Sequence, residues 1–345
     1  MMHWGYLIAA LMLLLSMQAA PALAFASRLA RGDWGVPVRR AADLFAVLGV
    51  VTGPGTILVL QQLPEARGRP SIWLDWPGAP GLWDSIGIIS LLGVGIALIG
   101  VTTWADRIRP GWRATQRQWQ VETTATRALG GLYVLVFVFV QLLVSSDLAM
   151  SLVPGWASAN FPAYHAVSSF ELGVAATVLV IALVRRRPGL SKRIPLQTFQ
   201  ACAKLLLALA LLWFYFTWSE FLTYWYGRTP AEQGLLALLM FGPGLPAFAI
   251  SAALCCVVPV AVLIWGPVRR SIRSVTIVAG LVVVGCTADR LRIYLAAWSP
   301  GLTAPELLDI ILVAGVVLAG LLVYLLALWR VPAISLWEER ESAHR

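Results

Sequence analysis

The segment Lys204–Glu232 reads KLLLALALLWFYFTWSEFLTYWYGRTPAE, an apolar run that turns aromatic and then polar. With the apolar residues before it, the run is long enough to cross a bilayer as a helix. Tryptophan and tyrosine then accumulate, as they do at the membrane–water interface, because their rings are apolar and their tips are wet. Glu220 lies inside this aromatic zone, where a carboxylate is costly unless it is paired, protonated or hydrated. The segment therefore predicts a membrane-spanning helix that ends in a polar pocket.

The rest of the chain has the same apolar character. Of its 345 residues, 59% are hydrophobic and only 12% are charged. Several stretches of about 20 apolar residues are each long enough to span a membrane as a helix. We expect an all-α polytopic membrane protein, a single integral membrane domain over residues 1–345 with about nine transmembrane helices. The predicted spans are 4–26, 41–62, 82–104, 127–149, 163–185, 199–223, 237–265, 271–296 and 306–329.

The arginines predict the orientation of these spans. They concentrate after the first, third, fifth, seventh and ninth spans, whereas the loops after even-numbered spans are poor in lysine and arginine. By the positive-inside rule, the N-terminus is expected outside and the C-terminus in the cytoplasm. The net charge of +9 is then explained by topology and anionic lipid rather than by binding to nucleic acid.

Acidic residues toward the outer ends of the spans are the candidate catalytic groups. They are Asp147, Glu171, Glu220 and Asp289. The helical rise places Glu171 roughly 12 Å and Asp289 roughly 10 Å inside their spans, where a charge needs a partner. Arg290 or Arg292 beside Asp289 leaves a structural ion pair and a functional role equally open. Asp84 lies near a span end, where solvation is the simpler interpretation.

The residues present argue against a resident redox group. The histidines are His3, His165 and His344, whereas a haem in a helix bundle usually needs axial histidines, often two from separate helices. The cysteines are Cys202, Cys255, Cys256 and Cys286. They lie in apolar spans without a CxxC pair, which favours structural buried thiols over a metal or disulfide framework. We therefore expect no haem, flavin, iron–sulfur cluster or other metal site in this chain.

Three segments carry a family resemblance. They are SSDLAMSLVPGWASANFPAYHAVSSFELG (Ser145–Gly173), SEFLTYWYGRTPAEQ (Ser219–Gln233) and CTADRLRIYLAAWSP (Cys286–Pro300). The first resembles the connection between the fourth and fifth helices of the NrfD-like family, which supplies the membrane subunits of polysulfide reductase and alternative complex III. The second is similar to that family's glutamate-containing helix end, and the third to its acidic–arginine helix. The likeness is closest to the quinol-interacting membrane subunits of alternative complex III.

The resemblance implies both a fold and a role. The expected fold is an NrfD-like pair of four-helix bundles plus one extra helix. The expected role is that of a membrane subunit of a respiratory quinol oxidoreductase in the bacterial cytoplasmic membrane, with an exchangeable quinone or quinol in an outer-side pocket. The expected partners are other membrane subunits and an outer-side iron–sulfur or cytochrome c subunit, which would take the electrons.

Within this resemblance, Asp147, Glu220 and the Asp289–Arg290 pair match the family's polar residues. Quinol-oxidising relatives commonly have a histidine six residues before the matched aspartate, where this chain has Gln141. Glutamine can hydrogen-bond a quinone carbonyl but cannot accept a proton near neutral pH. We expect one outer pocket formed by spans four, five, six and eight, lined by the four acidic residues. The residues expected to bind the quinone there are Gln141, Tyr164, His165, Tyr224 and Arg290.

Two other functions are compatible with the sequence. One is a non-catalytic anchor or proton-conducting paralogue in the same kind of assembly, with its carboxylates serving packing or proton transfer. The other is a secondary transporter, which is suggested by the glycine and proline that interrupt the second and seventh spans. The transporter ranks third, since its sites usually lie near the membrane midplane between internal repeats, whereas these charges lie off-centre.

Overall fold

The computed structural model describes residues 4–63, 73–108, 116–299, 304–335 and 337–339. Over these residues the chain is helical and contains no strand. The α-helices are α1 (Trp4–Met17), α2 (Ala20–Leu29), α3 (Val36–Asp43), α4 (Gly49–Leu60), α5 (Gly81–Ile108), α6 (Gln116–Leu148), α7 (Asn160–Val184), α8 (Leu196–Gly227), α9 (Pro230–Leu236), α10 (Leu245–Ser251), α11 (Val258–Leu263), α12 (Gly266–Arg269), α13 (Ile272–Trp298) and α14 (Leu307–Arg330).

Nine helical segments within this described part are long and apolar enough to cross a membrane, which confirms the predicted class of an all-α polytopic membrane protein. They are Trp4–Leu29, Asp33–Leu60, Gly81–Trp104, Thr123–Leu152, Asn160–Val184, Leu196–Gly227, Leu245–Leu263, Ile272–Trp298 and Leu307–Arg330. We call them the first to ninth spans. Two boundaries differ by eight residues from those predicted, whereas the others differ by four at most: the second span begins at Asp33 rather than 41, and the seventh begins at Leu245 rather than 237.

The spans pack as two groups of four with one helix outside. In the first group, spans one to four contact one another in a ring, and in the second group spans five to eight do the same. The first span joins the groups by packing against the fifth and eighth spans, and the fourth span also contacts the fifth. The ninth span lies against the first and second. Small residues permit these contacts, since a Cβ on Gly173 would lie 2.6 Å from the backbone nitrogen of Ala20.

The seventh span is the most irregular of the nine. The short apolar helix before it ends in a π-helical turn, Ala237–Phe241, and Gly242 then breaks the chain direction. A second π-helical turn, Ala252–Val257, interrupts the span itself. This irregularity explains why the span begins later than its apolar sequence suggests. It also lets the carbonyl of Leu239 accept a hydrogen bond from Arg292 at 3.3 Å.

One end of the helix array, which we call the arginine end, is closed by buried ion pairs. Arg28 donates to Asp43 at 2.5 Å and to Glu338 of the C-terminal segment at 2.8 Å. Arg40 donates to Asp106 at 2.7 Å. A count of apolar residues would place these charged side chains outside the membrane. Because they are buried in pairs, the helical segment of the second span extends back to Asp33. The opposite end, the cavity end, holds the candidate site.

Candidate functional site

A cavity of about 670 Å³ opens at the cavity end, beside the junction of the fourth and fifth spans. Its size lies within the range of about 300–1,000 Å³ that is usual for small-molecule sites. Polar groups are few, and aromatic rings form part of the wall. The residues that line it are Trp73, Leu74, Leu142, Leu143, Ser146, Asp147, Met150, Ser151, Trp156, Ala157, Ser158, Ala159 and Pro162. Such a lining suits a planar, largely apolar ligand with a few hydrogen-bonding groups.

Asp147 is the carboxylate that lines this cavity. It lies in the last turns of the fourth span, and the indole Nε1 of Trp73 donates to its Oδ2 at 3.0 Å. Asp84, at the start of the third span, is buried beside it, close enough for a hydrogen bond between the two carboxyl groups. Neither oxygen of Asp84 has a hydrogen-bond donor among the described residues, and a carboxylate offers acceptors only.

Glu220 lies behind the cavity and is connected to it by one hydroxyl. Ser158, which lines the cavity, donates from Oγ to Glu220 Oε2 at 2.6 Å. Asn160 Nδ2 donates to the same oxygen at 3.1 Å, and Tyr224 donates from its hydroxyl to Oε1 at 2.7 Å. Both carboxylate oxygens are therefore held, and Ser158 Oγ itself accepts from the backbone N–H groups of Asn160 at 3.1 Å and Phe161 at 3.0 Å. The structure thus brings Asp147, Glu220 and Tyr224 to one site, as the sequence predicts.

Gln141 lies deeper in the fourth span and does not line the cavity. Its side chain is buried, and neither its amide nitrogen nor its amide oxygen has a hydrogen-bond partner in the described part of the chain. The hydroxyl of Ser145, four residues further along the helix, is also buried without a hydrogen-bond partner in the described part of the chain.

Asp289 belongs to a separate cluster of buried ion pairs. Of the two interpretations that the sequence left open, this geometry favours a structural ion pair over a functional role. Its Oδ2 accepts from Arg290 at 3.0 Å, and its Oδ1 accepts from Arg292 at 2.6 Å. Tyr164 also donates to Oδ1 at 2.6 Å. The remaining Arg290 donors bond the serine hydroxyls of Ser168 and Ser16 and others nearby. All of these groups are buried, and none lines the cavity.

His165 is placed in the interior rather than at a pocket rim. Its ring is fully buried, and its Nε2 shares a hydrogen bond of 2.9 Å with the hydroxyl of Tyr294. Tyr164 likewise points its hydroxyl to the Asp289 cluster. We expected these two residues and Arg290 to contact a ligand at the cavity, but their positions do not allow it. His165 and Tyr164 hydrogen-bond to residues of the eighth span in the interior, where Arg290 also lies.

Glu171 is also separate from the cavity. It is fully buried, and its nearest ligand-type neighbours are the sulfurs of Cys255 and Cys286. The expectation of one pocket shared by four carboxylates thus divides in two. Asp147 and Glu220 belong to the cavity, whereas Glu171 and Asp289 lie in the interior of the second helix group.

Three residues of the site were not singled out by the sequence. Trp73 and Ser158 lie in connections between spans, and their contacts with Asp147 and Glu220 join residues more than 60 positions apart. Asp84 was set aside because it lies near a helix end. Ser158 could have been suspected from its place in the sequence, because it lies two residues before Asn160 within the segment that carries the family resemblance.

Comparison with known proteins does not assign a family. No family model matches the chain, and no curated protein matches it. The likeness to NrfD-like subunits therefore stays a prediction, and a function has to be argued from the geometry of the site.

Proposed function

We propose that this chain is a quinol-interacting membrane subunit of a respiratory oxidoreductase, resembling the alternative complex III subunits of the NrfD-like family. The observation that carries the proposal is the cavity at the end of the fourth span. It has one carboxylate in its wall, Asp147, and a second, Glu220, reached through the single hydroxyl of Ser158. The indoles of Trp73 and Trp156 in its wall suit the flat face of a quinone ring.

The two carboxylates match what quinol oxidation requires. The reaction releases two protons with two electrons, so two acceptors near one ring are useful. Asp147 takes a proton from a hydroxyl that enters the cavity, while Trp73 holds the orientation of its carboxylate. Ser158 donates to Glu220, and it accepts the second hydroxyl by releasing one of the two backbone N–H groups, of Asn160 and Phe161, that its Oγ holds. Tyr224 and Asn160 fix Glu220 in the position where this relay operates.

In this proposal the chain binds the quinone and transfers protons. The electrons therefore have to leave through another subunit. We assign that exit to an iron–sulfur or cytochrome c subunit docked at the cavity end. With the orientation that the arginines predict, this end faces outward from the bacterial cytoplasmic membrane. Other membrane subunits and lipid cover the apolar surface of the spans.

The proposal is tested by quinol oxidation with the intact assembly carrying Asp147→Asn, Glu220→Gln or both changes. Loss of a proton acceptor is expected to lower kcat by about 100-fold or more. The matched controls make the same chemical changes away from the cavity lining: Asp75→Asn at an exposed position and Glu232→Gln at a half-buried helix cap. If the double variant assembles normally and keeps both its rate and its quinone affinity, the site is wrong and a non-catalytic anchor replaces it.

Proton conduction is a second candidate, favoured by a series of buried polar side chains in the first helix group. Asp84, Gln141, Ser145 and Gln18 are all buried there, and Gln18 Nε2 donates to Thr52 at 2.7 Å. Tyr133 donates to the carbonyl of Gln18 at 3.0 Å, and Asp43 lies beyond it at the arginine end.

Proton flux into vesicles that contain the purified chain tests this candidate. A conducting chain raises the flux above that of empty vesicles, and Gln141→Leu is expected to lower it, because an apolar side chain cannot pass a proton. Flux equal to that of empty vesicles would remove the candidate and leave the quinol proposal untouched.

A further inference from the structure

A second cluster of reactive groups lies in the interior of the other helix group, away from the cavity. Glu171 of the fifth span, Cys255 of the seventh and Cys286 of the eighth bring a carboxylate oxygen and two sulfurs within 4.8 Å of one another. The two sulfurs are 3.6 Å apart. All three residues are fully buried. Three ligand-type side chains from three different helices therefore meet at one point.

The backbone around this cluster is shaped to bring the sulfurs together. Cys255 lies in the π-helical turn Ala252–Val257, and such turns occur frequently at functional sites. Gly285 allows the seventh span to approach the eighth, since a Cβ there would lie 2.7 Å from the Cys255 sulfur and 2.8 Å from the Cβ of Leu254. Any side chain at position 285 would separate the two cysteines.

The carboxylate of Glu171 supplies an independent indication that a ligand belongs here. Neither of its oxygens has a hydrogen-bond partner among the residues that the structure describes. A carboxylate at this depth is costly without a partner. The guanidinium of Arg290 is already bonded to Asp289 and to serine and backbone oxygens, and Arg292 is turned to Asp289 and Leu239.

We propose that Glu171, Cys255 and Cys286 bind one zinc ion. Zinc is tetrahedral and accepts sulfur and carboxylate ligands, with Zn–S distances of about 2.3 Å, which sets two thiolates on one ion about 3.8 Å apart. The observed 3.6 Å is close to that spacing. A linear copper(I) site would hold the sulfurs twice one metal–sulfur distance apart, which is wider than observed. The fourth position is left for a water molecule.

Charge balance agrees with this ion. A zinc ion with two thiolates and one carboxylate carries a single negative charge. The adjoining cluster of one aspartate and two arginines, Asp289 with Arg290 and Arg292, carries a single positive charge. The two buried clusters therefore neutralise each other, as groups in a low-dielectric interior must.

The ion ties the seventh span to the fifth and eighth. The seventh span follows one π-helical turn and is interrupted by another, and only 17% of its most apolar window is buried, so its own packing holds it weakly. Ligation by one residue from each of three helices gives it a fixed position. This role is independent of quinol binding, and it departs from the sequence-based expectation of structural thiols without metal.

Cobalt binding to the purified full-length chain in detergent tests the site, because Co²⁺ replaces Zn²⁺ and its thiolate bonds absorb in the near ultraviolet. After removal of metal with a chelator, the wild-type chain is expected to bind one equivalent with this absorption. Cys255→Ser with Cys286→Ser is expected to weaken binding by more than about 100-fold, since even outer-shell partners are worth roughly 10–100-fold. Glu171→Gln weakens binding but retains the cobalt–sulfur absorption.

The matched controls are Cys256→Ser, adjacent to the cluster, and Cys202→Ser, a buried cysteine of the sixth span. Both are expected to bind cobalt like the wild type, and helical circular dichroism confirms that each variant is folded. The proposal is overturned if the wild type shows no cobalt–thiolate absorption or if the double serine variant keeps it. Mass measurement of a Cys255–Cys286 disulfide in the isolated chain would overturn it equally.

Discussion

At the scale of single residues, Asp289 is the counter-charge of two buried arginines. Its carboxylate accepts from Arg290 and Arg292, both with almost no exposure. We predict that Asp289→Asn lowers the free energy of unfolding by about 3–5 kcal/mol, because it leaves buried positive charge unpaired. Tyr164→Phe removes one hydrogen bond to the same carboxylate and should cost only about 1 kcal/mol. Unfolding in detergent measures both, and equal losses would contradict this assignment.

Glu338 gives the arginine end a pH dependence. Burial raises the pKa of this carboxyl, but Arg28 and Arg39 lower it further, so that the net pKa lies below the ordinary value of 4.5. Its contribution to stability is therefore complete above pH 4.5 and is lost as the pH falls through the lower, folded-state value. We predict that Glu338→Gln costs about 3 kcal/mol at pH 7 and that this difference from the wild type narrows in acid.

Glu339→Gln is the matched control for that measurement. Glu339 pairs with Arg193 at the surface, where both side chains are more than a third exposed. An exposed pair contributes about 1 kcal/mol or less, so this change should have little effect at either pH. A Glu338→Gln difference that stays constant from pH 7 to pH 4 would show that the ion pair with Arg28 is not its cause.

The residues of the site were predictable where a charged side chain interrupts an apolar or aromatic stretch of sequence. Glu220 stands out because a carboxylate interrupts an aromatic helix end, and Asp147 because it closes an apolar span. Ser158 and Trp73 were not predictable in this way, since serine and tryptophan are ordinary in loops and only the fold brings them to the carboxylates. Gln141 was expected at the ligand, yet its helix turns it into the interior.

At the scale of helices, close approach depends on individual glycines. A Cβ on Gly173 would meet backbone atoms of Ala19 and Ala20 at 2.6–3.0 Å, and backbone cannot move aside as a flexible side chain can. We predict that Gly173→Ala lowers the free energy of unfolding by about 1–3 kcal/mol, because the fifth span is pushed from the first. Gly93→Ala is the control, since a Cβ there meets nothing within 4 Å.

Gly93→Ala should be neutral or stabilising by up to about 1 kcal/mol, as alanine favours helix. The temperature at which the monodisperse species is lost in detergent measures both variants. If the two glycines behave alike, contact between the first and fifth spans does not depend on the small residue at position 173.

The spans themselves were predictable from apolar length, and their number agrees among the described residues. The exact start of the second span and the interruption of the seventh were harder to predict. The second span extends to Asp33 because Arg39, Arg40 and Asp43 are buried among partners from other helices, and such pairing is invisible in a local sequence window. The π-helical turn at Ala252–Val257 lies where Gly285 allows the eighth span to approach closely, and a local sequence window does not show that contact either.

At the scale of the whole molecule, the ion pairs and the arginine-rich loops predict sidedness. The arginine end carries Arg28, Arg39 and Arg40, while Arg340 lies outside the described residues. We predict that a reporter fused after Arg345 is cytoplasmic and that one fused in the connection 299–306, which has no lysine or arginine, is outside, because positive loops stay inside. A periplasmic C-terminal reporter would reverse the orientation and place the cavity on the cytoplasmic side.

The arrangement in two groups of four agrees with what the family resemblance implies, but helix packing alone does not select a ligand. What separates a quinol site from another apolar cavity is the pair of carboxylates, one in the wall and one behind Ser158. A second, largely apolar groove of about 430 Å³ lies between the first, eighth and ninth spans and offers a rival place for an apolar ligand.

Photolabelling with an azido-quinone distinguishes these two places most directly. The quinol proposal predicts label on peptides from residues 142–162, competed by unlabelled quinone and reduced at least about tenfold by Asp147→Asn, which removes a charged hydrogen-bond acceptor worth roughly 1.5–3 kcal/mol. Asp75→Asn should leave the label unchanged. Label confined to the groove residues 6–13 and 305–317, or label at 142–162 that is insensitive to Asp147→Asn, would contradict the proposed site.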